Sequence, residues 1–261
     1  MTPRLRRGHA VLAVGTALAL GACAQPATPR AAPFDGVPYV GVLLDDEGEH
    51  WCTASVVDSP NGNVLATAAH CVFPLVGDPK DGEQTGPSEV GLEFAPGFSG
   101  TASGRSPYGK WKVRGIHIDD RWKDEEDDGA DYAFLTVEPD ERGRSVQEAV
   151  GATIPDWSSG FSRDVTVIGY PDSDHNPRDR PVSCTTRTRR DDEMPGMMRM
   201  ECAGFWGGTS GSPWLADHAG PEHPGRLIGV LSGGNTDSES TAALFDTRAR
   251  ALYEKAAREP G

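Results

Sequence analysis

Three short segments carry residue types suited to acyl transfer. In Gly207-Gly208-Thr209-Ser210-Gly211-Ser212-Pro213 a serine stands among glycines. A tight turn of that composition exposes a hydroxyl together with neighbouring backbone N–H groups, as a nucleophile attacking a carbonyl requires. In Thr67-Ala68-Ala69-His70-Cys71 a histidine stands beside a cysteine at the end of a strand-like run. The structural reading is a buried His–Cys pair. In Ala130-Asp131-Tyr132-Ala133-Phe134-Leu135 an acid begins an apolar strand, where burial would let it accept a histidine N–H. A glycine-rich turn alone is a weak signal, whereas the three motifs together are a strong one.

The elements that must position them read as strands. Glycine and proline are abundant (32 and 21 residues), which favours short strands joined by turns over helices. The first half offers strands at Tyr39 to Leu44, Trp51 to Val57, Asn63 to Ala68, Val90 to Phe94, Lys112 to His117 and Tyr132 to Val137. Asp58-Ser59-Pro60-Asn61-Gly62 is a turn signal within this meander. The second half offers Asp164 to Tyr170, Cys184 to Thr188, Met197 to Cys202, Ser212 to Leu215, Leu227 to Leu231 and Ala242 to Phe245, with a hairpin turn at Pro195-Gly196. A helix is expected from Thr247 to about Arg258, with Asp246 as its N-cap. The expected division is residues 36–145 and 146–261, the helix going with the second half.

The first 23 residues read as an export leader. Arg4, Arg6 and Arg7 precede a short apolar run from Ala10 to Leu20, which is shorter than the roughly 20 residues of a membrane-spanning helix. Leu20-Gly21-Ala22-Cys23 is similar to a bacterial lipobox, in which Cys23 would carry lipid; ordinary cleavage after Ala24 is the alternative. Residues 24–35, rich in Ala and Pro, are expected to be a flexible tether. With Cys23 set apart, Cys52, Cys71, Cys184 and Cys202 allow three pairings. Proximity in sequence favours Cys52–Cys71 and Cys184–Cys202, and export permits such bonds. Extracellular release or attachment to the outer face of the membrane is therefore expected. The formal charge of −14 argues against nucleic acid as a partner.

The TAAHC, DYAFL and GTSGSP segments, in the order His, Asp, Ser, resemble the chymotrypsin-like serine proteases from about Val37 to the C-terminal helix. The resemblance implies an all-β fold of two six-stranded antiparallel β-barrels with a C-terminal helix, the active site between them. It implies a triad of Ser210 as nucleophile, His70 as base and Asp131 as orienting acid. It also implies an oxyanion hole from the N–H groups of Gly208 and Ser210, and a substrate-pairing segment Ser232-Gly233-Gly234. Cys52–Cys71 matches the family disulfide that braces the histidine loop. No cofactor or metal is required, peptides or proteins are the implied substrates, and a monomer is expected.

The sequence also departs from the animal trypsins. Thr209 stands where they carry an aspartate, and no Ile-Val-Gly-Gly start is present, so the nucleophile turn must be organised in another way. Gly169-Tyr170-Pro171 and GTSGSP resemble the bacterial glutamyl endopeptidases, yet Leu231 aligns with their specificity histidine. Gly204 occupies the position six residues before the nucleophile, where an aspartate would select Arg or Lys. Small or apolar substrate side chains are the resulting expectation. The acidic run Asp124 to Asp128 is read as a solvated loop, with calcium or basic substrate residues as alternatives. Met194, Met197, Met198 and Met200 are read as hairpin packing rather than a pliable pocket. His50, His117, His175, His218 and His223 match no motif and are read as ordinary surface or loop residues. Besides an active endopeptidase, two other readings fit: a protease-like lipoprotein that only binds peptides or proteins, and an esterase using the same triad.

Overall fold

The computed structural model describes residues 27–75, 91–100 and 106–260. Cys23, the leader, and Val90 at the start of one expected strand lie outside the described residues. A two-residue strand β1 (Ala32–Pro33) precedes β2 (Val40–Leu44), β3 (His50–Val57), β4 (Val64–Thr67), β5 (Glu93–Pro96), β6 (Trp111–Ile118), helix α1 (Asp120–Glu125) and β7 (Ala133–Val137). Strands β2 to β7 close into an antiparallel barrel in the order β2-β3-β4-β7-β6-β5. The Asn61-Gly62 turn sets the β3–β4 register, with Val57 opposite Val64 and Ser55 opposite Ala66. Gly62 N–H donates to the Ser59 carbonyl at 3.0 Å.

The second half contains α2 (Val146–Val150), β8 (Ile154–Pro155), β9 (Asp164–Gly169), β10 (Val182–Arg187), β11 (Arg189–Arg190), β12 (Met197–Glu201), β13 (Pro213–Ala216), β14 (Arg226–Thr236), β15 (Glu239–Leu244) and α3 (Thr247–Ala256). It forms one curled nine-stranded sheet, β1-β10-β9-β13-β14-β15-β12-β11, with β8 parallel to β14. Its six principal strands, β10 to β12 along that order, follow the expected plan, but no ladder closes the seam between β10 and β12. The Cys184–Cys202 disulfide crosses that seam instead. The remaining short strands extend the sheet rather than close it.

Two parts of the chain pack differently from their place in sequence. The expected tether joins the fold before its end. Ala32 and Pro33 pair with Ser183 and Val182, and Ala31 N–H donates to the Ala203 carbonyl at 2.8 Å. Its Ala-Pro composition suits an edge strand as well as a linker, because proline is tolerated where no neighbour needs its N–H. Helix α3, expected to go with the second half, and the unexpected helix α2, which lies in the same 146–261 stretch, both dock on the first barrel. Val146 N–H donates to Asn63 Oδ1 at 3.1 Å; Tyr253 donates to the Asp58 carbonyl at 2.6 Å and Asn61 Nδ2 to the Ala256 carbonyl at 3.0 Å.

Beneath α3, Phe134, Trp157, Phe245 and Tyr253 form an aromatic cluster with ring centroids 5.2–6.0 Å apart. Such pairs add roughly 0.5–1.5 kcal/mol each beyond the area they bury. With that cover outside and the barrel interior inside, every residue of β7 is buried, so the strand reads as a continuous apolar run rather than an alternation. The methionines behave as the hairpin reading expects: Met197, Met198 and Met200 are buried on β12, and none of the four lines the cleft described below.

Candidate active site

Register brings the histidine and the acid together. Strands β4 and β7 are neighbours, with Thr67 opposite Ala133. His70 lies three residues beyond one and Asp131 two residues before the other, so both leave the same end of the barrel. A 3₁₀ turn, Asp128–Ala130, delivers Asp131, and the Asp127 side chain caps it by accepting from Gly129 N–H at 2.9 Å. The Cys52–Cys71 disulfide ties the histidine loop to β3. Both sulfurs of the Cys52, His70, Cys71 cluster are thereby occupied in a bond to each other.

Asp131 accepts from the backbone N–H of His70 at 2.9 Å through Oδ1. Its Oδ2 lies 2.8 Å from His70 Nδ1 and receives the Ser232 hydroxyl at 2.5 Å. The carboxylate is buried, its side chain 2% exposed. Burial alone would raise its pKa; the adjacent His70 ring and the hydrogen bonds from His70 and Ser232 outweigh it and hold the carboxyl below its ordinary value. An ionised Asp131 in contact with Nδ1 fixes the ring's tautomer and orientation. Trp122 flanks the ring, with centroids 6.4 Å apart.

Ser210 comes from the loop before β13, and its neighbouring peptides are pinned one after another. The Gly207 carbonyl accepts from Asp172 N–H at 2.7 Å, and the Gly208 carbonyl from the Thr53 hydroxyl at 3.1 Å. The Thr209 carbonyl accepts from Ser212 N–H at 3.0 Å and from the Ser212 hydroxyl at 2.6 Å. The Ser210 carbonyl accepts from Thr53 N–H at 2.8 Å. In a trans peptide the C=O and N–H point opposite ways. Anchoring the Gly207 and Thr209 carbonyls therefore turns Gly208 N–H and Ser210 N–H to the opposite side. Among the described residues neither of these N–H groups donates to a backbone carbonyl.

Two glycines are required for this path. Gly208 has φ +86°, and a Cβ there would meet the Tyr170 carbonyl at 2.6 Å; at Gly211, φ +81°, it would meet the Thr53 carbonyl at 2.2 Å. Thr209, which replaces the trypsin aspartate, is buried and donates its hydroxyl to the Trp206 carbonyl at 2.6 Å. Local hydroxyl and backbone bonds thus hold the turn.

His70, Asp131, Gly208, Ser210 and the Ser232-Gly233-Gly234 segment all line one cleft of about 660 Å³ between the two halves. Trp51, Trp122, Phe205 and Trp206 supply apolar surface, and Asp128, Asp237 and Glu239 supply negative charge. Lysine and arginine are missing from the described lining. Within the acidic run, Asp124 and Glu125 are exposed, Asp127 caps the 3₁₀ turn, and Asp128 reaches the cleft. His50 corrects the surface reading given to the unassigned histidines: it is nearly buried and lies 2.8 Å from Asp179, linking β3 to the loop before β10. Sequence reading did not single out Thr53, Trp122 or Asp128 as individual site residues, nor the Ser232 hydroxyl as a partner of Asp131. For Thr53 the available signal was its place beside Cys52.

The family model described as Trypsin matches residues 27–253. No curated protein matches the chain. Among solved structures, the chain is similar to the protease Anisep from Arthrobacter nicotinovorans. The TM-score is 0.74 at 21% identity, covering 87% of this chain and 99% of that one. A thermostable serine protease AL20 from an extremophilic microorganism gives 0.70 at 25%, covering 84% and 97%. A Glu endopeptidase in complex with MPD gives 0.67 at 14%, covering 88% and 98%.

Proposed function

The chain belongs to the trypsin family of serine proteases, and from that premise we propose that it cleaves peptide bonds through an acyl-enzyme on Ser210. The observation that carries this reading is the His70–Asp131 contact at 2.8 Å in the cleft that Ser210 also lines. With Nδ1 engaged by Asp131, Nε2 is the nitrogen that takes the proton as Ser210 Oγ attacks the carbonyl. The same nitrogen then gives the proton to the leaving amine, and water repeats the sequence in reverse. Gly208 N–H and Ser210 N–H, turned away from their anchored neighbours, receive the developing oxyanion. Ser232 to Gly234, within β14 along the cleft wall, pairs with the substrate backbone as an added strand.

The cleft's charge supports a preference. A glutamyl or aspartyl side chain would enter among Asp128, Asp237 and Glu239, with no lysine or arginine lining to receive it. The substrates are therefore peptides whose side chain at the scissile bond is not acidic, in keeping with Leu231 where glutamyl endopeptidases have histidine. The division of labour is the first barrel supplying His70 and Asp131 and the second half supplying Ser210. The leader and lipobox support secretion with Cys23 as the lipid-bearing residue, and a substitution Cys23→Ser is expected to move the protein from the membrane fraction to the medium. Among the described residues no helix is long and apolar enough to cross a membrane.

A peptide-library digest tests the reading. Cleavage by the wild-type protein, lost in Ser210→Ala and rare after Glu and Asp, is the expected result. Equal cleavage by Ser210→Ala would remove the nucleophile assignment, and a predominance of cuts after Glu would overturn the charge argument.

A further inference from the structure

Thr53 is fully buried on β3 of the first barrel, yet most of its polar atoms bond to the nucleophile turn of the second half or to the residue that borders it. Its N–H donates to the Ser210 carbonyl at 2.8 Å. Its hydroxyl donates to the Gly208 carbonyl at 3.1 Å and accepts from Tyr170 N–H at 3.0 Å. Its own carbonyl accepts from the Thr67 hydroxyl at 2.9 Å, which ties it to the strand leading to His70. Thr53 is also covalently adjacent to Cys52, whose disulfide reaches Cys71 beside the histidine.

We propose that the Thr53 hydroxyl is a positioning group for catalysis, holding the oxyanion turn in register with the His70–Asp131 pair across the boundary between the two halves. This rests on the assignment of Ser210 as nucleophile. The physical case lies in the order of the pinned peptides. The peptides bearing Gly208 N–H and Ser210 N–H alternate with those whose carbonyls Thr53 holds. A peptide plane can rotate only if its neighbours' dihedrals compensate. Fixing the Gly208–Thr209 plane therefore limits both donor-bearing planes beside it. Gly208 needs such restraint, because a glycine at φ +86° pays little to change conformation. The trypsin aspartate is replaced by Thr209, whose hydroxyl bonds, among the described residues, within its own turn, to Trp206. The Thr53 hydroxyl thus supplies a side-chain link between the turn and the first barrel. The hydroxyl is fully buried and Thr53 is not part of the cleft lining, so it acts through the turn.

Thr53→Val keeps the shape and removes the hydroxyl, stranding the Gly208 carbonyl and Tyr170 N–H; Thr53→Ser keeps the hydroxyl and loses a methyl. Turnover of a chromogenic peptide is measured for both, beside wild type and Ser210→Ala, with thermal melting as the check on folding. The expected result is a fall in kcat of about 10–100-fold in Thr53→Val, less than the loss of a whole oxyanion donor, with KM changed by less than about threefold. Thr53→Ser is expected to recover kcat to within about threefold of wild type. Thr53→Ala gives the same comparison should valine not be accommodated. A kcat in Thr53→Val equal to wild type overturns the positioning role while leaving Ser210 in place. A Thr53→Ser variant as slow as Thr53→Val also overturns it, since packing of the methyl would then be the cause. Wild-type turnover that survives in Ser210→Ala overturns the nucleophile assignment itself.

Discussion

At Asp131 two oxygens receive three donors: the His70 backbone, the His70 ring and the Ser232 hydroxyl. The arrangement holds the carboxylate ionised in a buried place and leaves the ring one productive tautomer. Asp131→Asn keeps the size but presents an amide N–H towards Nδ1 or forces the opposite tautomer. It is expected to lower kcat by about 10⁴-fold with little change in KM. Ser232→Ala removes one donor of three, with an expected loss of roughly fivefold, or about 1 kcal/mol. Steady-state kinetics on both variants check the ranking; a Ser232→Ala loss as large as that of Asp131→Asn would contradict the division of roles. The candidate residues His70, Asp131 and Ser210 could be singled out because the chemistry proposed for them restricts residue type and local sequence, and the fold brings all three to one cleft. The partners could not: Ser232 meets Asp131 across 101 positions and Thr53 meets Gly208 across 155, contacts that no local pattern encodes.

Among the elements, the strands with a clear apolar run were legible to within a few residues, as was the Asp246 cap of α3, whose carboxylate accepts from Arg248 and Ala249 N–H. Strands of two residues, β1, β8 and β11, are too short to carry a period and were not. Nor does composition say which barrel a helix docks on, because α3 is selected by the aromatic surface it meets. The seam between β10 and β12 makes the second disulfide structurally distinct, since it joins strands that no ladder joins. Each disulfide closes a loop of similar length, 19 and 18 residues of separation, worth about 3 kcal/mol in the chain-entropy account. Replacing Cys184 and Cys202 together by serine is expected to lower stability by about that amount in urea titration and to leave His70 and Asp131 in contact. Unchanged stability would show that the seam holds without its crosslink.

For the molecule as a whole, acid stability follows from buried carboxylates on both halves. Burial would raise Asp119 and Asp191, but Arg121 and Tyr132 around the first, and Arg199 with the N–H groups of Met194 and Glu193 around the second, bring both below their ordinary values, as at Asp131. A carboxyl lowered by folding binds fewer protons in the native state than in the unfolded chain. Its stabilisation is thus present above the unfolded value of about 3.9 and is lost as pH falls below it. His218 adds a shallower slope: burial lowers its pKa, so stability declines gently as pH falls past about 6.5. Urea midpoints measured across pH are expected to fall gently from neutrality and steeply below about pH 4. A steep loss beginning above pH 6 would contradict this account.

The central claim, an activated serine built from both halves of the molecule, is tested most directly by labelling the folded protein with a fluorophosphonate and mapping the modified peptide. Stoichiometric label on Ser210, absent in His70→Ala, is the predicted result. Well-folded wild-type protein that takes no label, or takes it on another serine, would contradict it.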